Sequence, residues 1–232
     1  LANEDLLRYV PETAERICVR KRIGLKPWTQ PEIDQLLIEK TGQHRRVVRL
    51  KGGDPGLFGR APEEAVVCEK AGVQMEIVPG ITAAIAAADY TGIFLTDREH
   101  SSQVLFMTGR EAEGKEDSAI DFDVLARFQG TIVIYMGMGT LEHIAGEMIA
   151  RGKSPQTPVA VIGEATLPSQ RLLRTELAEA ARRCREESLG APALVIIGPA
   201  ARSNPDWNWF MNQPLFGKRI VITRDAAGND LF

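Results

Sequence analysis

No apolar run in this chain of 232 residues approaches the ~18 consecutive residues that a membrane span needs. The N-terminus also lacks a basic segment followed by an apolar one, so neither a spanning helix nor a secretory leader is expected. An excess of one charge is missing too. With a formal net charge of -3 and a pI of about 5.8, the chain has no general electrostatic grip on nucleic acid or on an anionic membrane. Any anionic ligand must therefore be held by local cations. Cysteine is scarce: Cys18, Cys68 and Cys184 lie far apart, with no metal-ligand or redox spacing. They read as small core residues in a reducing compartment, and a cytoplasmic protein is expected. Internal repeats and low-complexity tracts are absent as well. What is present is ordinary for a folded soluble protein, 44% hydrophobic and 25% charged, with length for one large core or two modest ones.

Apolar runs alternate with amphipathic stretches along the chain. Candidate strands are "RICV" (16–19), "RVVRL" (46–50), "QMEIV" (74–78), "QVLFMT" (103–108), "TIVIYM" (131–136), "TPVAVI" (157–162) and "PALVIIG" (192–198). Between them lie helical patterns: "PEIDQLLIEKTG" ending at Gly42, "PEEAVVCEKAG" with Pro62 in its first turn and Gly72 at its end, and "TLEHIAGEMIARG" closing at Gly152. Strands alternating with helices of this length imply crossover connections, so an α/β protein with mostly parallel or mixed sheets is expected. The pattern breaks at "TGIFLTDREHSS" and again at "RSNPDWNWFMNQPLFGKR". These breaks divide the chain into domains at 1–95 and 96–203, followed by a linker and one fresh strand in 204–232.

Two strand-to-helix turns carry the chemistry. In "RRVVRLKGGDPGLFGRAPEEA" (45–65) a run of strand formers meets two glycines, an aspartate and a proline before a helix opens. Glycines at the carboxyl end of a strand let backbone approach a ligand without a Cβ in the way. The loop is not a Walker phosphate loop, which ends in Gly-Lys-Ser/Thr, nor the Gly-x-Gly-x-x-Gly dinucleotide pattern. An ordinary tight turn remains an alternative reading. The second turn, "VPGITAAIAAADYTG" (78–92), leads into a helix lined with alanines. Ala84 to Ala88 read as close helix packing, while Thr82 and Ala83, at the turn itself, are site candidates.

Taken together and in order, "VVRLKGGDPGLFGRAPEEA", "VPGITAAIAAADYTGIFLT", "TIVIYMGM" and "PALVIIG" resemble the tetrapyrrole methyltransferases, over most of the chain. The likeness is strongest to members that methylate uroporphyrinogen III. It implies two α/β domains with S-adenosylmethionine in the cleft between them and a homodimer. The implied activity is transfer of two methyl groups to ring carbons of uroporphyrinogen III, giving precorrin-2 for sirohaem and cobalamin, with S-adenosylhomocysteine as by-product. The resemblance places cofactor contacts at Gly52, Gly53, Asp54 and Leu57, at Thr82 and Ala83, and at Met136 of "YMG". A further contact, commonly the glycine of a Gly-Thr pair before "xxxQR", falls on Ala165 in "EATLPSQR". It also gives Lys21 of "RKRIG" a proton-donor role, and Arg22 and Arg60 are implied carboxylate partners. The tail "PLFGKRIVITR" is similar to the first strand of a uroporphyrinogen-III synthase. Family members begin with a strand, a "GxGPGDP" loop and a segment holding an aspartate proton acceptor. None of these is found from Leu1 onward, so the first domain is expected to lack its first strand, with an open edge beside 46–50, and this chain alone to be a weak catalyst.

The chemistry sets requirements of its own. Attack of a pyrrole carbon on a sulfonium methyl needs alignment and exclusion of water, and it needs no metal. A proton must also leave the methylated ring, which asks for a titratable group nearby. A substrate with eight carboxylates needs cations, and "RKRIG" is the densest cluster of them. Departures from the family pattern are Arg20 for glycine, Gly56 for an aromatic, Ala61 and Pro62 for small residues, and Asp97 for the histidine of "LTHR"; the last adds negative charge to a polyanion's path. Two alternative functions stay open. One is methylation of a later corrinoid, RNA or protein, and the other is a non-catalytic dimerising module beside a synthase.

Overall fold

A computed structural model describes residues 2–19, 28–111, 119–202 and 204–221. The chain divides into two compact units, Leu1–Ile85 and Ala86–Phe232. The division falls within helix α3 (Ala83–Thr91), ahead of the break expected near residue 95.

The first unit is built from α1 (Gln30–Gln43), α2 (Ala61–Lys70) and the start of α3. Helix α1 begins where the sequence marks it. Thr29 accepts from the Glu32 backbone, Glu32 reaches back to the Thr29 backbone at 2.7 Å, and Pro31 fills the first turn. Helix α2 also has a proline in its first turn, and Glu63 and Glu64 complement its N-terminal dipole. The strands expected at 16–19, 46–50 and 74–78 form no ladder among the described residues. Their apolar side chains are open to solvent, Val48 at 77% and Val78 at 72%. Alternating apolar residues favour an extended segment but do not supply the neighbour at ~4.8 Å that makes it a strand.

The second unit holds a five-stranded sheet. Its strands are β1 (Val104–Thr108), β2 (Thr131–Tyr135), β3 (Pro158–Gly163), β4 (Arg171–Glu176) and β5 (Ala193–Ile197), in the order β1-β2-β5-β3-β4. The sheet is mixed. Only β1 and β2 pair in parallel, while β5 runs antiparallel to β2 and β3, and β4 antiparallel to β3. The short 164–170 connection is the reason for the β3–β4 hairpin, since a parallel return needs a crossover of a dozen or more residues. Helices α4 (Phe122–Arg127), α5 (Leu141–Ala150) and α6 (Ala180–Glu186) complete the unit.

Alternate residues of the central strands, Ile132 and Ile134, Val159 and Val161, Val195 and Ile197, form one core with Leu141, Ile144 and Met148 of α5 and Cys184 of α6. The opposite set, Val133, Ala160, Ile162 and Ile196, is fully buried too. Burial on both faces explains why β2, β3 and β5 read as unbroken apolar runs. Cys68 and Cys184 are buried as expected, whereas Cys18 is exposed.

Residues 204–217, assigned by sequence to a linker, pack against the C-terminal half of α3. Trp209 Nε1 donates to the Asp89 carbonyl at 2.9 Å, and the Tyr90 ring meets those of Trp209 and Phe210, each at 4.9 Å. Gly92 makes room for this segment: a Cβ there would lie 2.2 Å from the Trp207 carbonyl oxygen.

Candidate cofactor and active site

The two glycine turns singled out by sequence meet in the first unit, and Asp54 joins them. Its Oδ1 accepts from the Gly56 backbone at 2.8 Å, closing its own turn, and its Oδ2 accepts from the Gly80 backbone at 3.0 Å. The carboxylate thus acts as a clamp between 52–56 and 80–83, and any ligand contact at Gly52 or Gly53 is left to main-chain groups. Gly53 has φ +72°, and a Cβ on it would lie 3.4 Å from Ala83 N and 3.6 Å from Thr82 Cα. At Gly80 the approach is closer still, since a Cβ would sit 2.3 Å from the Gly53 carbonyl oxygen. Gly52 and Gly53 are nevertheless exposed, so the paired turns present bare backbone to solvent. Ile81 beside them is 71% exposed, an apolar side chain left for a ligand with an apolar part. A cradle that Cβ atoms would fill, with an apolar flank, fits a nucleoside-bearing sulfonium such as S-adenosylmethionine. Leu57 is half-buried within the first turn, its backbone donating to the Asp54 carbonyl at 3.3 Å.

Beneath the first turn lies a polar cluster that the sequence did not signal. Glu64, 4% exposed, takes both carboxylate oxygens to Lys51 Nζ, at 2.9 and 2.8 Å. Arg49 Nε and Gln30 Nε2 reach the same carboxylate at 3.3 Å each. In sequence, "PEEA" reads only as the acidic first turn of a helix, and this role of Glu64 depends on residues up to 34 positions away. Arg60, an implied partner for substrate carboxylates, pairs with Glu63 at 2.9 and 3.0 Å. That hydrogen bond holds the Arg60 guanidinium above, and the Glu63 carboxyl below, their ordinary values. Lys21, Arg20 and Arg22 lie outside the described residues.

In the second unit, the loops that carry Met136 and Ala165 leave from the same end of the sheet. β2 and β3 run the same way, each antiparallel to the β5 between them, so the loops with Met136 and Ala165 follow strands two places, ~10 Å, apart. Both loops have unusual backbones. Met136 has φ +53° and is 52% exposed, and Ala165 lies between Glu164 at φ +47° and Thr166 at φ +70°. Left-handed conformations at a β-branched or long side chain are uncommon and concentrate at binding sites. Gly109, at the end of β1, is packed so closely that a Cβ would lie 2.5 Å from Gly137 Cα. Gln170, 2% exposed, braces the Ala165 loop by accepting from the Thr166 backbone at 2.8 Å.

The profile of the Tetrapyrrole (Corrin/Porphyrin) Methylases matches residues 1–181. The chain belongs to the tetrapyrrole methylase family. Among curated tetrapyrrole methylases, it is 45% identical over 198 residues to the S-adenosyl-L-methionine-dependent uroporphyrinogen III methyltransferase of Methanosarcina barkeri (strain Fusaro / DSM 804), covering 85% of this chain and 78% of the relative. It is 41% identical to the siroheme synthase of Sodalis glossinidius (strain morsitans), covering 98% of this chain but 47% of that protein, so it spans less than half the relative's length. Among solved structures, the uroporphyrin-III C-methyl transferase of Thermus thermophilus complexed with S-adenyl homocysteine aligns with a TM-score of 0.63 and 34% identity, over 75% of this chain and 74% of that one.

Asp97, expected from the sequence to put negative charge in a polyanion's path, has a local role. Its Oδ1 accepts from the backbones of Glu99 at 2.8 Å and His100 at 2.6 Å, and lies 3.2 Å from His100 Nδ1. These bonds, the His100 backbone first, hold its pKa below the ordinary 3.8. A depressed folded-state pKa contributes stability that is present above the unfolded value and lost as pH falls through the folded one. The melting temperature of Asp97→Ala is therefore expected to lie below wild type at neutral pH, with the gap closing below about pH 4. Thermal melts across pH 3 to 7 read this directly, and a gap independent of pH would show that the carboxylate's charge is not the cause.

Proposed function

We propose that this chain transfers methyl groups from S-adenosylmethionine to two ring carbons of uroporphyrinogen III, giving precorrin-2 for sirohaem and cobalamin. The observation that carries the reading is the pair of glycine turns clamped by Asp54, with bare backbone exposed at Gly52 and Gly53, in a chain similar to a methyltransferase named for this substrate. The proposed cofactor contacts are Gly52, Gly53, Asp54, Leu57, Thr82 and Ala83, together with Met136 and Ala165. When bound, the donor supplies an electrophilic sulfonium methyl. The chain's own part is to hold that group through main-chain N–H and C=O at the two turns and to set its direction. The proposed domain assignment remains 1–95, 96–203 and 204–232, the last holding the "RIVITR" stretch that is similar to the start of a synthase and lies in part outside the described residues. A homodimer in the cytoplasm completes the proposal.

Two measurements test it. Calorimetric titration with S-adenosylhomocysteine is expected to show one site per chain, and transfer of labelled methyl to uroporphyrinogen III is expected to give a dimethylated product. Binding without transfer to this substrate, but with transfer to another corrinoid, would reassign the substrate; absence of binding would leave the non-catalytic module. Lys21 is the proposed proton donor. Lys21→Met is expected to lower turnover about 10²-fold with little change in cofactor affinity, while Lys21→Arg keeps the charge and alters donor acidity. A raised Michaelis constant at unchanged turnover would assign Lys21 to substrate binding alone.

A further inference from the structure

We infer that Lys51 and Glu64 are positioning residues, a buried clasp that fixes the shape of the glycine turn and through it the affinity for the methyl donor. The inference rests on the proposal that this turn contacts the donor. Lys51 immediately precedes Gly52, and its ammonium has three N–H bonds to give. One goes to Glu64 Oε1 at 2.9 Å, whose Oε2 lies 2.8 Å from the same nitrogen in the ion pair, and another to the Gly59 carbonyl at 2.6 Å. The clasp therefore ties the first residue of the loop to its far end and anchors both to α2. Gly59 lies between Phe58 at φ +54° and Arg60 at φ +60°, two non-glycine residues in the left-handed region. Such residues persist only where their surroundings over-determine them, and the bond to the carbonyl between them does so.

Stability alone is a weak reason for this arrangement. The side chains of Lys51 and Glu64 are 11% and 5% exposed, and removing paired charges from water costs about what their attraction returns. What the Lys51 ammonium supplies instead is direction, the Gly59 carbonyl and the Glu64 carboxylate held together around one nitrogen. Arg49 provides the contrast. Its Nε also reaches Glu64, at 3.3 Å, but its other bond, to the Leu50 carbonyl, does not extend to the far end of the loop.

The test compares Lys51→Met, Arg49→Met and Gly53→Val by titration with S-adenosylhomocysteine, by melting temperature and by steady-state kinetics. Lys51→Met is expected to raise the dissociation constant at least tenfold and to raise the Michaelis constant for S-adenosylmethionine in parallel, with turnover changed less than threefold. Arg49→Met is expected to lower the melting temperature and leave both constants unchanged. A merely structural role would lower the active fraction, which reduces apparent turnover and spares the Michaelis constant. If Lys51→Met does not fold, Lys51→Gln, which keeps two N–H donors but no charge, is read the same way. Weakened binding in Gly53→Val with wild-type affinity in the Lys51 variant overturns the clasp and leaves the turn as a donor contact. Equal loss in the Arg49 and Lys51 variants overturns the clasp as well. Unchanged binding in Gly53→Val removes the turn from the donor site, and the clasp falls with it.

Discussion

Gly80→Ala is expected to raise the dissociation constant for S-adenosylhomocysteine more than tenfold and to lower kcat/KM about 10²-fold. A Cβ at this position would lie 2.3 Å from the Gly53 carbonyl oxygen and 3.1 Å from its carbon, and both atoms are backbone. No rotamer change can relieve that overlap, so the two turns must separate by roughly 1 Å to reach ordinary contact. Separation lengthens the bond from the Gly80 backbone to Asp54, now 3.0 Å, and moves Gly53 away from Thr82 and Ala83. A shift of that size in groups that align a reacting atom is enough for the stated loss. Titration and initial-rate kinetics check it. Wild-type affinity would mean that the turns can part without consequence for the donor.

Asp54→Ala is expected to weaken binding by one to two powers of ten while leaving the second unit folded. The substitution removes both bonds from the carboxylate, to the Gly56 and Gly80 backbones. Hydrogen bonds to a charged acceptor contribute about 1.5–3 kcal/mol each, so the first turn loses its closure and its tether together. Asp54→Asn separates these two effects. Its amide oxygen can still accept from Gly56, but its nitrogen cannot accept from Gly80. The asparagine variant is expected to bind with intermediate affinity. If the alanine variant binds as wild type does, the turns are held by other groups and the clamp has no part in the site.

What the sequence made legible follows from how local each determinant is. Strands β2, β3 and β5 are buried on both faces and so appear as unbroken apolar runs, Ile132 to Ile134 being fully buried. Strand β4, "RLLRTE", escaped because an edge strand carries charge along its length, here Arg171, Arg174 and Glu176. The segments at 46–50 and 74–78 have the alternation of strands but no ladder among the described residues, since pairing depends on a neighbour that alternation does not encode. At the site, the glycine turns could be found from Gly52, Gly53 and the 80–83 stretch because a missing Cβ is visible in the sequence. The Asp54–Gly80 bond could not, for it joins residues 26 apart through a side chain that an ordinary Asp-Pro turn would also use. Met136 was legible as the end of a strand, whereas its left-handed backbone, φ +53°, has no sequence signature.

The position of β5 governs how this sheet can assemble. Residues 193–197 come last in chain order of the sheet's five strands, yet they sit in the middle of it, between β2 and β3. Until they are in place, β1–β2 and β3–β4 are separate ribbons of two strands, each with an open inner edge and each marginal by itself. During synthesis, the second unit therefore waits for its final strand before its two ribbons can join. Contacts between β5 and β2 span more than sixty residues, from Ile132 to Ile197, so loop closure rather than local structure sets the pace. The interval before closure is when the apolar edges of β2 and β3 are open to other chains, which makes nascent-chain crowding, more than any weakness of the finished core, the hazard for this unit.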